Sequence, residues 1–190
     1  MPLNKEIFYV SNLLSILRII LLIPLSYLML YAFETQNNLI IILVLCMYFS
    51  DLLDGYLARK LKQVSEFGKI IDPLADKISV IVIAIILVYL GRLPLWFVTI
   101  VVARDVLILL FGIYLNRKYN LTLMSNFPGK IAVFSIGLIL LLTIINSLYL
   151  TGVIKILYFI SFALISYSSY LYYNRFLQSI KLQESVERKN

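Results

Sequence analysis

Long apolar runs separated by short polar segments dominate the sequence. At about 1.5 Å of rise per residue, a helix of 20 residues crosses about 30 Å of hydrocarbon. The runs that reach or approach this length are 13–33, 39–61, 68–90 (or from 72), 95–115, 129–147 (or from 130) and 153–177. The pattern therefore predicts an all-α, polytopic membrane protein with six transmembrane helices.

Composition agrees with this pattern. The chain is 62% hydrophobic over 190 residues, well above the roughly half that is usual in soluble domains. We predict one membrane domain over residues 1–190. It is flanked by a short interfacial segment at 1–11 and a polar, frayed tail at 178–190.

The basic residues are distributed unevenly between the two sets of helix ends. Of the 17 lysines and arginines, only Arg92 and Lys155 fall on the side opposite the termini. Because cytoplasmic loops are enriched in Lys and Arg, both termini are predicted to be cytoplasmic. The net charge of +7 is then best explained by contact with anionic membrane lipids, and we expect no nucleic-acid partner.

Two residue types are scarce enough to exclude whole classes of chemistry. The chain has no histidine and a single cysteine. Histidine acid–base catalysis, histidine metal ligation, internal disulfides and cysteine zinc clusters are therefore excluded.

Acidic residues concentrate in one stretch of this apolar chain. Asp51, Asp54, Asp72 and Asp76 are four of its ten acidic residues. On helices, the first two share one face and the last two share another. Ionisable groups in or beside a membrane span are costly, so they indicate function.

Four carboxylates repel one another unless positive charge lies between them. Carboxylate oxygens suit Mg²⁺, Mn²⁺ or Ca²⁺, and two such ions fit a four-carboxylate site. Arg59 adds a planar donor group suited to phosphate. The residues alone thus indicate phosphoryl transfer involving a lipid. A cation transporter is the alternative, although a through-path needs acids along the span rather than at one end.

The complete spacing of this stretch is D-x2-D-G-x2-A-R-x8-G-x3-D-x3-D, running from Asp51 to Asp76. It resembles the signature of the CDP-alcohol phosphatidyltransferase family. The resemblance implies that two Mg²⁺ or Mn²⁺ ions bind the diphosphate of CDP-diacylglycerol. Asp51, Asp54 and Asp72 would be the main metal ligands. Asp76 would share metal binding with the role of general base.

The resemblance also implies a site for CDP-diacylglycerol. Its residues would be Gly55, Ala58, Arg59, Gly68, Asn12 and Ser15. From the residues alone, Asn12 and Ser15 followed by Arg18 are interpreted as a helix cap and an interfacial arginine.

Three cations from three spans lie on the same side as the acidic motif: Arg104, Lys130 and Arg175. Singly, each is typical of a snorkelling or positive-inside residue, and Arg104 could form an ion pair with Asp105. Together they form a candidate phosphate cradle. The resemblance implies that they bind the phosphate of the acceptor alcohol.

Within the family, the opening Ser-Asn-Leu-Leu-Ser-Ile-Leu-Arg and the run Asp-Pro-Leu-Ala-Asp-Lys are most similar to bacterial members that use glycerol 3-phosphate. Inositol phosphate, serine or phosphatidylglycerol remain open as acceptors. The resemblance further implies a homodimer in the bacterial plasma membrane, and the uneven distribution of basic residues predicts that its active site faces the cytoplasm.

Overall fold

The computed structural model describes residues 9–60, 68–119 and 126–187. Within these ranges, the side chains of residues 10–11, 51–52, 54–59, 69–70, 73, 119 and 181–187 are not described.

Six α-helices account for nearly all of the described residues, as the apolar pattern predicts. They are α1 Val10–Tyr31, α2 Asn37–Lys60, α3 Gly68–Tyr89, α4 Leu95–Tyr119, α5 Phe127–Ile145 and α6 Thr151–Glu187. A short 3-10 helix, Leu148–Leu150, precedes α6. The described ranges contain no β-strand, so the all-α prediction is confirmed.

Four segments of the described chain are long and apolar enough to cross a membrane: Asn12–Tyr31, Leu95–Lys118, Phe127–Ile145 and Leu148–Ile180. In α2 the apolar part is the shorter stretch Asn37–Ser50, because the charged motif follows it. Helices of this length and apolarity indicate an integral membrane protein.

Several predicted boundaries change. Because α3 begins at Gly68, Asp72 and Pro73 lie inside the helix, and a start at Asp72 is wrong. Because α1 begins at Val10, Asn12 does not cap it. At the other end, α6 continues to Glu187, well past the predicted end of the sixth span. Residues 1–8 of the predicted interfacial segment lie outside the described residues.

The chain divides into two compact units. The first comprises Met1–Leu93 and Thr143–Asn146. In it, α1 packs against both α2 and α3. The buried positions of α1 recur every three or four residues and form one stripe: Asn12, Ser15, Arg18, Leu22, Leu25 and Met29. This helical face is polar at its beginning and apolar towards its end.

Arg92 joins three chain segments of the first unit. Its guanidinium hydrogen-bonds Asn146, pairs with Glu34 and lies 4.6 Å from the ring centroid of Phe33. Asn146 also donates to Glu34 at 3.1 Å. These contacts lie beside the ends of α1 and α3, far along both helices from the acidic residues of α3.

The second unit comprises Pro94–Leu142 and Ser147–Asn190. Aromatic pairs hold α4 against α6: the ring centroids of Phe97 and Tyr158 are 4.8 Å apart, and those of Phe111 and Phe176 are 4.7 Å apart. A hydrogen bond of 2.7 Å between the buried hydroxyls of Ser135 and Ser161 joins α5 to α6.

Candidate active site

The first unit places two acidic side chains of α3 against the polar part of the α1 stripe. Ser15 Oγ donates a hydrogen bond to Asp72 Oδ1 at 2.5 Å. Arg18 Nη1 forms an ion pair with Asp76 Oδ1. Residues three or four apart lie about one turn apart on the same helical face. Ser15 and Arg18, one turn apart on α1, therefore contact Asp72 and Asp76, one turn apart on α3.

Burial explains why these contacts are needed. The Arg18 side chain is only 3% exposed, whereas the side chain of Asp76 is 44% exposed. A buried guanidinium is costly unless a carboxylate and hydrogen bonds compensate for its lost hydration. The interpretation of Asn12 as a helix cap is wrong, because α1 begins at Val10, and the Arg18 side chain is buried inside the first unit.

The first half of the acidic motif lies on α2. The helix runs through Asp51, Asp54, Gly55, Ala58 and Arg59, but their side chains lie outside the described ones. Gly68, at the beginning of α3, is buried. The predicted meeting of all four carboxylates stays a prediction. What the structure brings together is Ser15 with Asp72 and Arg18 with Asp76.

The second unit contains a separate polar cluster around Arg104, whose side chain is 10% exposed. Arg104 Nη1 donates to Asp105 Oδ1 at 2.7 Å, which confirms the predicted local ion pair. Arg104 Nη2 is 3.5 Å from Ser168 Oγ on α6. Among the described residues, Arg104 Nε is buried without a hydrogen-bond acceptor.

The beginning of α5 approaches this arginine closely. A Cβ added at Gly129 would lie 2.9 Å from Arg104 Nη2, so only glycine leaves enough space there. Lys130 follows Gly129 directly and is exposed. Arg175 is also exposed and comes seven residues after Ser168, about two turns further along α6.

Two residues of this cluster are absent from the sequence-based prediction. Asn126 caps α5 by accepting a hydrogen bond from Gly129 N at 2.7 Å, and it also bonds Ser168. An asparagine before a helix that has proline in its first turn is a recognisable start signal, so Asn126 could have been found. The sequence does not single out Ser168, because Ser166 and Ser169 lie next to it in the sequence and have the same side chain.

Comparison with known proteins agrees with the motif. The sequence model of the CDP-alcohol phosphatidyltransferase family matches residues 8–167. A CDP-diacylglycerol–glycerol-3-phosphate 3-phosphatidyltransferase of Aquifex aeolicus is 35% identical over 152 residues, covering 78% of this chain and 82% of the relative. The Bacillus subtilis protein of the same name is 48% identical over 56 residues, which are 30% of this chain and 29% of the relative. A cardiolipin synthase (CMP-forming) of Streptomyces coelicolor is 36% identical over 87 residues, or 46% and 40% of the two chains.

The family match covers most of the chain, including both halves of the acidic motif, the contacts of Ser15 and Arg18, and Arg104, Asn126 and Lys130 of the second cluster; Ser168 and Arg175 lie just beyond it. It decides between the two classes that the residues alone left open, in favour of the enzyme and against the cation transporter. The chain is a transferase that belongs to the CDP-alcohol phosphatidyltransferase family.

Proposed function

We propose that this enzyme transfers the phosphatidyl group of CDP-diacylglycerol to glycerol 3-phosphate, producing phosphatidylglycerophosphate and CMP. The observation that carries the proposal is the pair of α3 carboxylates, Asp72 and Asp76, held by Ser15 and Arg18 of the neighbouring α1. The names of the Aquifex and Bacillus relatives support glycerol 3-phosphate as acceptor.

Asp51, Asp54, Asp72 and Asp76 would hold two Mg²⁺ or Mn²⁺ ions. Asp72 fits such an ion, because a carboxylate has two oxygens and Asp72 uses Oδ1 for its bond to Ser15. Hard divalent ions prefer carboxylate oxygens. When bound, the ions would neutralise charge on the diphosphate and make the cytidylate a better leaving group.

The chain's own residues would carry the rest of the reaction. Asp76 would accept the proton of the acceptor hydroxyl, whose oxygen attacks the lipid-side phosphorus. A new P–O bond to the acceptor forms while the P–O bond to CMP breaks, with inversion at phosphorus and no covalent enzyme intermediate. Arg18 would hold the Asp76 carboxylate in place during the proton transfer.

The donor site would comprise Gly55, Ala58, Arg59, Gly68, Asn12 and Ser15. Ser15 is well suited to this position because its hydroxyl already bonds Asp72 and so links α1 to the metal ligands. Asn12, buried on the same stripe one turn earlier, would contribute amide hydrogen bonds to the nucleotide.

The acceptor's phosphate would bind to Arg104, Lys130 and Arg175. The buried Nε–H of Arg104 supports this role, since a buried donor without an acceptor among the described residues is costly unless a ligand oxygen bonds it. Nε and Nη2 form one edge of the guanidinium fork, which matches two oxygens of a phosphate.

We further propose six membrane spans, cytoplasmic termini and a homodimer in the bacterial plasma membrane. The active site would face the cytoplasm, where soluble glycerol 3-phosphate and CMP exchange. The one-sided distribution of lysines and arginines supports this orientation.

Phosphatidylglycerol is the second candidate acceptor, because the Streptomyces relative is named a cardiolipin synthase. One experiment separates the two candidates. The purified enzyme in lipid nanodiscs receives CDP-diacylglycerol, Mg²⁺ or Mn²⁺ and one acceptor at a time, and CMP release and product mass are measured. The acceptors are glycerol 3-phosphate, phosphatidylglycerol, inositol phosphate and serine.

Phosphatidylglycerophosphate formed only with glycerol 3-phosphate supports the proposal. Cardiolipin formed from phosphatidylglycerol, with no product from glycerol 3-phosphate, refutes it in favour of the second candidate. Asp72→Asn is the matched inactive control, and chelation by EDTA is expected to stop CMP release.

A further inference from the structure

The hydrogen bonds between Asn126 and Ser168 join α5 to α6 beside Arg104. Asn126 is 2% exposed and Ser168 is fully buried. Ser168 Oγ donates to Asn126 Oδ1 at 2.8 Å, and Asn126 Nδ2 donates to the backbone oxygen of Ser168 at 3.1 Å. Both polar atoms of the asparagine amide are therefore used, and the position of Ser168 relative to the beginning of α5 is fixed.

The direction of the Ser168 hydroxyl follows from this arrangement. A serine hydroxyl has one proton, and Ser168 gives it to Asn126. Its lone pairs are then available to Arg104 Nη2, which lies 3.5 Å away. Ser168 Oγ, held by Asn126, thus places a hydrogen-bond acceptor on one side of the Arg104 guanidinium.

Arg104 is held from two directions. Asp105 binds Nη1 and Ser168 lies beside Nη2. The guanidinium is planar, so fixing these two nitrogens also fixes the direction in which Nε–H points. That N–H is a buried donor for which the described residues supply no acceptor.

We propose that Asn126 and Ser168 are positioning residues that orient Arg104 to bind a phosphomonoester on the acceptor alcohol. The proposal rests on the proposed acceptor role of Arg104 and deepens it. It assigns the preference for a phosphorylated acceptor to a buried hydrogen-bonded pair that does not contact the phosphate. An acceptor without a phosphomonoester would gain nothing from this orientation.

The same two helices contain a matched control pair. Ser135 and Ser161 also join α5 to α6 through buried hydroxyls, 2.7 Å apart. Ser161 lies seven residues before Ser168 on the same buried stripe of α6. Loss of either hydroxyl removes one buried hydrogen bond between α5 and α6, but only Ser168 contacts Arg104 in the described structure.

The test compares Ser168→Ala with Ser161→Ala in nanodiscs. Ser168→Ala is expected to raise the KM for glycerol 3-phosphate about tenfold, the usual size for a lost hydrogen bond to a charged group. The KM for CDP-diacylglycerol and the melting temperature should match those of Ser161→Ala. Ser168→Thr, which keeps the hydroxyl, should restore the KM for glycerol 3-phosphate.

A second variant keeps the test decisive if Ser168→Ala does not fold. Asn126→Asp retains the oxygen that caps α5 but places a carboxylate beside Arg104. The carboxylate should draw the guanidinium away from the acceptor and raise the KM for glycerol 3-phosphate at least as much.

The outcomes separate this inference from the proposed function. If wild-type enzyme uses glycerol 3-phosphate but Ser168→Ala behaves like Ser161→Ala, the positioning role alone is overturned. Equal rises in both KM values would also overturn it, since they indicate a general structural defect. If wild-type enzyme accepts no phosphorylated alcohol at all, the proposed acceptor is wrong and this inference is overturned with it.

Discussion

Gly129 offers the sharpest test of the polar cluster in the second unit. In Gly129→Ala, the added Cβ would lie 2.6 Å from Asn126 Oδ1 and 2.9 Å from Ser168 Oγ. Both contacts are shorter than carbon–oxygen packing allows, so the Asn126 side chain has to move. It then loses the cap of α5 and its bond from Ser168, each worth about 1 kcal/mol.

A second glycine of α5 provides the comparison. A Cβ added at Gly137 meets nothing within 4 Å. Gly137→Ala should therefore gain up to about 1 kcal/mol from the better helix propensity of alanine. Alanine gains the same helix propensity at position 129, but the lost cap and the lost bond from Ser168 outweigh this gain. Because the propensity gain is common to both, the two variants should differ by about 2 kcal/mol, with Gly129→Ala the less stable.

The assay is thermal unfolding of both variants in one detergent, together with the KM for each substrate. A difference of this size corresponds to about 4–8 °C in melting temperature for a chain of this length. Gly129→Ala should also raise the KM for the acceptor, since Arg104 Nη2 lies 2.9 Å from the added carbon. Equal melting temperatures and equal KM values for the two variants would refute the described packing around Gly129.

Three further predictions concern the first unit. Arg18→Met should lower stability by about 1–3 kcal/mol. This is less than the roughly 3–5 kcal/mol for breaking a fully buried pair, because Asp76 is 44% exposed. Arg18→Lys should recover part of the lost melting temperature, and an unchanged melting temperature in Arg18→Met would count against the ion pair. Asp76→Asn should keep CDP-diacylglycerol binding, measured by isothermal titration, but lose turnover; full turnover would remove Asp76 from the mechanism. Arg92→Ala should lower stability by about 1–2 kcal/mol through the lost contacts with Glu34 and Asn146. The KM values for both substrates should stay at wild-type levels. A changed KM would show that the contacts of Arg92 affect substrate binding.

The sequence predicts the helices far better than it predicts which helical faces meet. Apolar length alone located six helices, because a span needs about 20 residues and each run is bounded by charge or by turn residues. The predicted helix boundaries differ from the observed ones where a residue is compatible with more than one position in a helix. Asp72 followed by Pro73 is a typical helix start, but α3 begins at Gly68 and Pro73 is its sixth residue, past the first turn in which proline is normally tolerated.

The polar contacts of the site depend on helix rotation, which composition does not encode. Arg18 could equally have snorkelled to the interface, and only the packing of α1 against α3 brings it to Asp76. Likewise, Ser161 and Ser168 are two among several serines of α6. Their partners on α5 are far away in sequence, so no local pattern distinguishes these serines from the exposed ones. The motif of α2 and α3, by contrast, was readable because several residues recur in a fixed spacing along the chain.

The Arg18–Asp76 contact also constrains how the protein is made. The two residues are separated by 58 positions, so the first helix leaves the ribosome before its counter-charge has been synthesised. An unneutralised arginine costs up to about 2.5–3.5 kcal/mol at the centre of a span during translocon-mediated insertion, and Arg18 is the seventh of the 20 residues of the first span. Pairing with Asp76 is therefore expected to stabilise the first helix in its final position once the third has been inserted. Truncating the nascent chain ahead of Gly68 should leave the leading helix shallow and accessible to water-soluble labels.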